Sequence, residues 1–232
     1  GVDRGAGGEI VRLPLDGGDI ETVAVTPGPV PALESVEGKI IVATADGSGG
    51  VDFYELSGSE LVRFGGASPL SDPLHGTGTV NVVGASESGV YVRRSQPGGD
   101  QPLLLVRFDG APHGPVISTR EPLLTLAVWA GRLIVITPGH ILSLAPWGGE
   151  TETLLDQGNA TSLVHSIAVD EHSICWASGS DKNDGAPRCM PQGGGEVRAF
   201  GNARATALEL TDGVLVWTVT SAEGTKVLAA IP

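Results

Sequence analysis

The carboxylates that could hold a metal ion or act on a substrate lie in two loops. The first loop, Asp181-Lys182-Asn183-Asp184-Gly185, has oxygen donors at the density that Ca²⁺ sites use. In an EF-hand loop, however, Asp or Asn occupies the first, third and fifth places and Gly the sixth. Asp181 and Asp184 do not fit that spacing. A polar turn is therefore the favoured interpretation, and a Ca²⁺ site is the alternative.

The second loop runs from 65 to 78 and contains Asp72 and His75. Inserted surface loops often carry binding residues, which makes Asp72 and His75 candidates for ligand binding. The loop also contains Gly and Ser, so the competing interpretation is a flexible linker. Neither loop alone predicts a reaction.

The sequence lacks the patterns of known catalytic sites. Its five histidines form no HExxH motif, and no serine lies in a GxSxG turn. We therefore predict no catalytic residue, no set of metal ligands and no resident cofactor. Ca²⁺ remains the one metal worth testing.

The charge balance excludes two classes of partner. The chain has 14 Lys and Arg residues against 27 Asp and Glu, which gives a net charge of -13. Such a chain repels phosphate backbones and anionic lipid headgroups, and it has no cluster of basic residues to create a local exception. No apolar stretch is long enough to span a bilayer, and the first residues lack the pattern of a signal peptide. We expect neither nucleic-acid binding nor membrane insertion.

An internal repeat predicts the elements that position these loops. A short strand runs into a glycine turn at 12–18, 144–149 and 188–194, with weaker copies at 53–58 and 105–110. Each reads as the start of a β-hairpin. Equivalent positions recur at steps of 42, 51, 39, 45 and 41 residues, namely at Pro14, Leu56, Arg107, Pro146, Pro191 and Pro232.

A second strand pair lies between these hairpins. It is clearest in 166–170 followed by 173–177, and in 207–213 followed by 214–218. The second member is apolar at successive positions, as a strand covered on both faces must be. Four strands per repeat predict an all-β fold, a β-propeller of four-stranded antiparallel blades. A two-sheet sandwich is the alternative, but it would not require the same four-strand order to return each time.

Two of these pairs resemble a known family. The pairs ending in Cys175-Trp176-Ala177 and Val216-Trp217-Thr218 resemble the repeat of YWTD-type and related bacterial secreted propellers. In those repeats an inner strand ending in Asp is followed by an apolar-aromatic-Trp-Thr strand and a Pro-x-Gly-Gly hairpin. The resemblance implies a binding scaffold in an extracytoplasmic setting. It implies no reaction, because propellers host unrelated functions.

The repeat divides the chain, predicted to be a single propeller domain over residues 1–232, into complete and partial blades. The complete blades are expected at 26–66, 79–118, 123–156 and 164–201, and the partial ones at 1–25 and 205–232. If further residues completed both partial blades, the ring would have six blades, which we favour. If the two ends combined into one closing blade, it would have five.

Cys175 and Cys189 are expected on adjacent strands of one blade, where their side chains could meet. A disulfide there would close a loop of about 15 residues and would indicate an oxidising compartment. Two buried thiols are the alternative.

Recurring polar and aromatic residues have structural interpretations in this repeat. Asp170 and Asp212 each lie between a first and a second strand, where a carboxylate accepts hydrogen bonds from the turn. Trp176 and Trp217 are predicted to pack between blades. Trp147 lies in a hairpin turn, and we predict that it is exposed and a candidate for binding.

These residues together predict a non-enzymatic binding or scaffold propeller that is secreted, periplasmic or in the cell envelope. Its partner would be a protein or a glycan, bound through one face. The alternative function is a Ca²⁺-dependent hydrolase or lyase with its site at the central channel, for which Asp72, Asp181 and Asp184 are the candidate carboxylates.

Overall fold

All regular secondary structure in the described part of the chain is β-strand. The computed structural model describes residues 7–14, 18–68, 71–72, 76–77, 79–95, 101–109, 111–119, 121–156, 164–178, 185–201, 204–221 and 224–232. The chain divides into two compact units, Gly1–Ser118 and Thr119–Pro232.

The first unit contains three antiparallel sheets and a short ribbon. Sheet I pairs β1 (Glu9–Arg12) with β2 (Glu21–Val25). Sheet II contains β3 (Ala32–Val36), β4 (Lys39–Ala45), β5 (Val51–Ser57) and β6 (Glu60–Ala67). The ribbon pairs β7 (Ser71–Asp72) with β8 (Gly76–Thr77). Sheet III contains β9 (Thr79–Ser86), β10 (Gly89–Ser95), β11 (Gln101–Val106) and β12 (Pro112–Thr119).

The second unit contains three further antiparallel sheets. Sheet IV contains β13 (Thr125–Trp129), β14 (Arg132–Ile136), β15 (His140–Leu144) and β16 (Thr151–Asp156). Sheet V contains β17 (Val164–Val169), β18 (Ser173–Ser178), β19 (Pro187–Pro191) and β20 (Arg198–Ala199). Sheet VI contains β21 (Ala205–Thr211), β22 (Val214–Ser221) and β23 (Gly224–Ala230).

Sheets II to V share one strand order, in which each strand pairs with the next along the chain. The all-β, antiparallel architecture predicted from the repeat is therefore confirmed. The fourth strand of sheet V is short, because β20 covers only Arg198–Ala199. In the turn that precedes it, Gly194 and Gly195 have φ of 83° and 130°, a conformation that glycine adopts readily.

The second strand of these sheets is covered on both faces, as predicted. Neighbouring residues on a strand point to opposite faces, so burial at successive positions requires cover on each side. Ile41, Val42 and Ala43 of β4 are at most 2% exposed. The same is true in sheet V of Ile174, Cys175, Trp176 and Ala177.

Apolar clusters join successive sheets within each unit. In the first unit, Phe53 of sheet II packs in one cluster with Val90 of sheet III. In the second unit, Ile136 of sheet IV packs with Trp176 of sheet V. A further cluster joins Cys189 of sheet V to Trp217 of sheet VI. The buried positions of Trp176 and Trp217 confirm their predicted packing role.

Three of the turns between first and second strands are two-residue turns with positive φ at both positions. They are Glu37-Gly38, Ala130-Gly131 and Asp212-Gly213. Such turns match the right-handed twist of the strands that they connect. Glycine occupies the second place each time, whereas the first place holds Glu37 and Ala130, which rarely adopt positive φ, and Asp212, a residue type that adopts it more often. The Asp212-Gly213 pair, with φ of 51° and 71°, is a residue combination that this turn type favours.

Candidate functional site

Most of the loop residues singled out from the sequence lie outside the described residues. This is the case for His75, Asp181 and Asp184. Asp72 ends β7, where its backbone pairs with Gly76. The candidate roles of these four residues remain predictions.

Trp147 lies in the turn between β15 and β16, and its exposure is as predicted. The turn is closed by a hydrogen bond of 2.9 Å from the Gly148 N–H to the Ala145 carbonyl. Gly148 and Gly149 have φ of 92° and 115°, a conformation that L side chains rarely adopt. Trp147 is 60% exposed. The large aromatic side chain of Trp147 is thus exposed to solvent on a turn that a backbone hydrogen bond closes.

A groove of about 330 Å³ lies against one face of sheet IV. The register of the sheet explains which residues line it. Trp129 is paired with Arg132 across the first turn, and Ile134 is paired with Ser143, which is paired in turn with Glu152. Directly opposed residues of antiparallel strands share a face. The side chains that line this groove are those of Trp129, Ala130, Arg132, Ile134, Ser143, Glu152, Leu154 and Gln192, with Gly193 beside them.

The guanidinium of Arg132 is fixed at the centre of this groove. Its Nε–H donates to Ser143 Oγ at 2.6 Å, and its Nη2 lies 3.5 Å from Glu152 Oε2. Ser143 is buried, while about half of the Arg132 side chain is accessible to solvent. The arrangement holds a cation in one orientation and places a carboxylate beside it.

The opposite wall is the turn between β19 and β20. The Gln192 side-chain amide donates to the Asp170 carbonyl, and the Gln192 N–H donates to the His172 carbonyl at 3.0 Å. A Cβ at Gly194 would lie 3.1 Å from the Leu154 carbonyl, which shows how closely this turn approaches β16. Glycine is required there on two grounds, the close approach and a φ of 83°. The wall is therefore hydrogen-bonded to another turn of sheet V and lies close to β16 of sheet IV.

Asp170 links the turns of two successive sheets. One carboxylate oxygen accepts the N–H groups of His172 and Ser173, at 2.9 and 2.8 Å, within its own turn. The other accepts the N–H of Gly213 at 3.2 Å, in the first turn of sheet VI. The residue is 7% exposed. The predicted turn role is confirmed, and the bond to the next sheet is an addition that a local pattern could not reveal.

A second polar cluster lies at the other end of sheet IV. Glu121 Oε2 accepts a hydrogen bond from Thr137 Oγ1 at 2.5 Å and lies 3.3 Å from His140 Nδ1. The hydrogen bond from Thr137 is the main reason that the pKa of Glu121 lies below its ordinary value, and His140 adds to it. Among the described residues, no group of three or more His, Cys, Asp or Glu side chains is arranged to hold a metal ion.

The predicted disulfide between Cys175 and Cys189 is present. The two residues are directly opposed on β18 and β19, with their Cα atoms 4.1 Å apart. Cys189 also borders a cavity of about 180 Å³ with Arg198, Phe200 and Pro232. Both cysteines are buried, so the bond is part of the core of sheet V.

The sequence predicted the exposure of Trp147 but not the groove on sheet IV. Trp129 was visible as one of four tryptophans, yet no repeat copy has Trp at its place. The useful signal was its position directly before the Ala130-Gly131 turn, which aligns Trp129 with Arg132 on one face. Gln192 lines the groove from a turn of sheet V. The sequence of sheet IV, residues 125–156, therefore could not indicate its presence there.

Comparison with known proteins gives structural likeness without sequence likeness. No protein family matches the sequence, and no curated protein matches it. Saccharomyces cerevisiae Sqt1 superposes with a TM-score of 0.62 at 10% identity, over 99% of this chain and 66% of that chain. A chain of a nidogen/laminin complex gives a TM-score of 0.52 at 13% identity, over 78% of this chain and 71% of that chain.

A third similar structure is the extracellular domain of the putative hybrid two-component system BT4673 from B. thetaiotaomicron. Its TM-score is 0.53 at 11% identity, over 87% of this chain and 27% of that chain. The fold is propeller-like. At sequence identities of 10 to 13%, these structures are evidence for the fold alone. The similarity to the chain of the nidogen/laminin complex agrees with the resemblance to YWTD-type repeats. None of the described segments is a helix capable of crossing a membrane.

Proposed function

We propose that this chain is a propeller-type scaffold that binds another protein through turns at one end of its sheets, and that it is not an enzyme. The observation that carries the proposal is Trp147, which is 60% exposed on a turn held by the Ala145–Gly148 hydrogen bond. Fixed, solvent-exposed aromatic rings are typical anchors of protein interfaces, because they bury a large area with little loss of side-chain entropy.

We further propose that sheets I to VI are blades of one propeller, with six blades in the complete ring and five as the alternative. Sheet I has two strands and sheet VI has three in the described residues. Both leave apolar side chains uncovered, with Val25 and Val227 each 67% exposed. Further strands beside β1 and β23 would complete four-stranded blades.

Three observations support an extracytoplasmic location and a protein partner. The Cys175–Cys189 disulfide is the kind of bond that persists in oxidising compartments. One similar structure is an extracellular domain, and another is part of a complex of two proteins. The hydrolase alternative, which requires Ca²⁺ at Asp72, Asp181 and Asp184, gains no comparable support.

The proposal can be tested by site-specific photo-crosslinking. A photoreactive amino acid replaces Trp147 in one variant and Val62, an exposed residue of β6, in the control. Each protein is incubated with the extracellular and cell-surface proteins of the source organism. We expect a discrete adduct from position 147 that unlabelled wild-type protein competes away.

Two outcomes would overturn the proposal. One is the absence of any adduct at position 147, and the other is the same set of adducts from positions 147 and 62. Because Trp147→Ala removes only an exposed side chain, its melting temperature should equal that of the wild type, which separates lost binding from lost folding.

A further inference from the structure

The groove on sheet IV combines features that suit a ligand rich in hydroxyl groups. We propose that it binds one pyranose ring of a neutral oligosaccharide. This site is separate from the protein contact proposed above, because Trp147 is not among the residues that line the groove. The size of the groove, its hydrogen-bonding groups and its charge each suit such a ligand.

The groove has the size and walls of a small-ligand site. Its volume of about 330 Å³ lies at the lower end of the range for ligand pockets, roughly 300 to 1,000 Å³. The half-buried Trp129 ring provides an aromatic wall, while Ile134 and Leu154 provide an apolar floor. A pyranose ring has an apolar C–H face that can stack on such a ring, which carries negative charge density on its face.

The polar side chains are held before any ligand arrives. Ser143 and Glu152 fix the guanidinium of Arg132 through Nε and Nη2. The amide nitrogen of Gln192 donates to the Asp170 carbonyl, which holds this side chain in place. The site thus presents N–H donors from Arg132 and carboxylate oxygens from Glu152, and Gln192 is part of its lining. Sugar hydroxyls both donate and accept, so they can satisfy groups of both kinds at once.

The charges favour a neutral ligand over an acidic one. Arg132 and Glu152 form an ion pair, so the two together contribute no net charge to the groove. The chain as a whole carries a net charge of -13, which repels anions at low ionic strength. A carboxylate or phosphate ligand would also have to displace Glu152 from Arg132. A neutral saccharide needs no such exchange.

The experiment uses the whole chain labelled with 5-fluorotryptophan, whose four tryptophans give four ¹⁹F resonances. Trp129→Phe identifies the resonance of Trp129 by its loss. The neutral probes are cellotriose, maltotriose and mannotriose, and tri-galacturonic acid is the charged comparison. Each is added up to about 10 mM. This concentration is ten times the Kd of a weak site, taken as about 1 mM. We expect at least one neutral trisaccharide to shift the Trp129 resonance while those of the buried Trp176 and Trp217 stay in place.

Variants separate binding from folding. Arg132→Lys keeps the charge but loses the planar fork, and we expect about tenfold weaker binding. Trp147→Ala should bind the saccharide as the wild type does. Unchanged Trp176 and Trp217 resonances in each variant show that the core is intact.

Three results would overturn the inference. They are no shift of the Trp129 resonance with any neutral probe, unchanged affinity in Arg132→Lys, and tighter binding of tri-galacturonic acid than of every neutral probe. The crosslinking experiment at Trp147 is independent of all three, so failure of one proposal can be told apart from failure of the other.

Discussion

At the scale of single residues, the polar side chains that matter most for stability are carboxylates that accept hydrogen bonds from backbone N–H groups. Asp170 is buried and accepts three backbone N–H groups. Asp46 does similar work in sheet II, where one oxygen accepts the N–H groups of Ser48 and Gly50. An N–H group that loses its acceptor costs free energy. Asp170 and Asp46 therefore stabilise the turns whose N–H groups they accept.

Replacing Asp170 should test this directly. Asp170→Ala leaves the N–H groups of His172, Ser173 and Gly213 without their acceptor, so we expect the free energy of unfolding to fall by about 2 kcal/mol. Urea denaturation followed by circular dichroism measures the change. Asp212→Asn is the matched control, since Asp212 is exposed and Asn tolerates positive φ. Equal losses in both variants would contradict the assigned role of Asp170.

The lowered pKa of Glu121 predicts a dependence of stability on pH. Its folded-state pKa lies below the unfolded value of about 4.3, so its contribution is present above that pH and is lost as pH falls through the folded-state value. Thermal melts between about pH 6 and pH 3 should therefore show a smaller decrease in Tm for Glu121→Gln than for the wild type. Parallel Tm curves for the two proteins would argue against this hydrogen bond. The side chain is partly exposed, so we expect a small effect.

At the scale of elements, the strands were predictable and several turns were not. The second strands could be identified because burial on both faces requires apolar residues in succession, as in Ile174 to Ala177. The disulfide followed from placing Cys175 and Cys189 on adjacent strands. Ala130 with φ of 47° was not predictable, because alanine gives no sign of a left-handed conformation. The groove was also missed, since Gln192 reaches it from another sheet.

The Ala130 turn offers a stabilising substitution. Alanine pays a steric penalty at positive φ that asparagine largely avoids. Ala130→Asn should raise the free energy of unfolding by about 0.5 to 1 kcal/mol. As control, Ala111→Asn changes an exposed loop alanine whose φ is not positive, and it should leave the unfolding midpoint unchanged. A loss of stability in Ala130→Asn would show that the turn is held by something other than its backbone preference.

The disulfide should stabilise sheet V by restricting the unfolded chain. The two cysteines are 14 residues apart, and a loop of this size is worth about 3 kcal/mol in the chain-entropy model. Urea unfolding with and without dithiothreitol measures the difference. The double variant Cys175→Ala, Cys189→Ala should show no response to the reductant. If the wild type also fails to respond, the bond does not stabilise the fold as expected.

At the scale of the whole molecule, the sequence predicted the scaffold better than the function. A repeated strand order is set by many residues at once, so single exceptions do not hide it. A binding site depends on a few side chains from different segments, and Trp129 with Gln192 shows how these converge only after folding. Asp72, His75, Asp181 and Asp184 remain predictions for the loops.

Calcium provides the test of the enzymatic alternative. An ion present at a free concentration of ten times its Kd adds about 1.4 kcal/mol to the free energy of unfolding. Weak extracellular Ca²⁺ sites have Kd values of about 1 mM. We expect about 10 mM Ca²⁺ to leave Tm unchanged, with Mg²⁺ as the control for ionic strength. A rise of several degrees with Ca²⁺ alone would support the carboxylates of the two loops as ligands.

The hydrogen bond from the Gly213 N–H to Asp170 makes hydrogen exchange at Gly213 a measure of how often sheets V and VI separate. Amide hydrogens in two-residue turns usually exchange quickly with solvent, because their partners are local and fray easily. The Gly213 amide instead has its acceptor on the preceding sheet. Its exchange should therefore be slowed until sheets V and VI separate, and its rate would measure how often that separation occurs under native conditions.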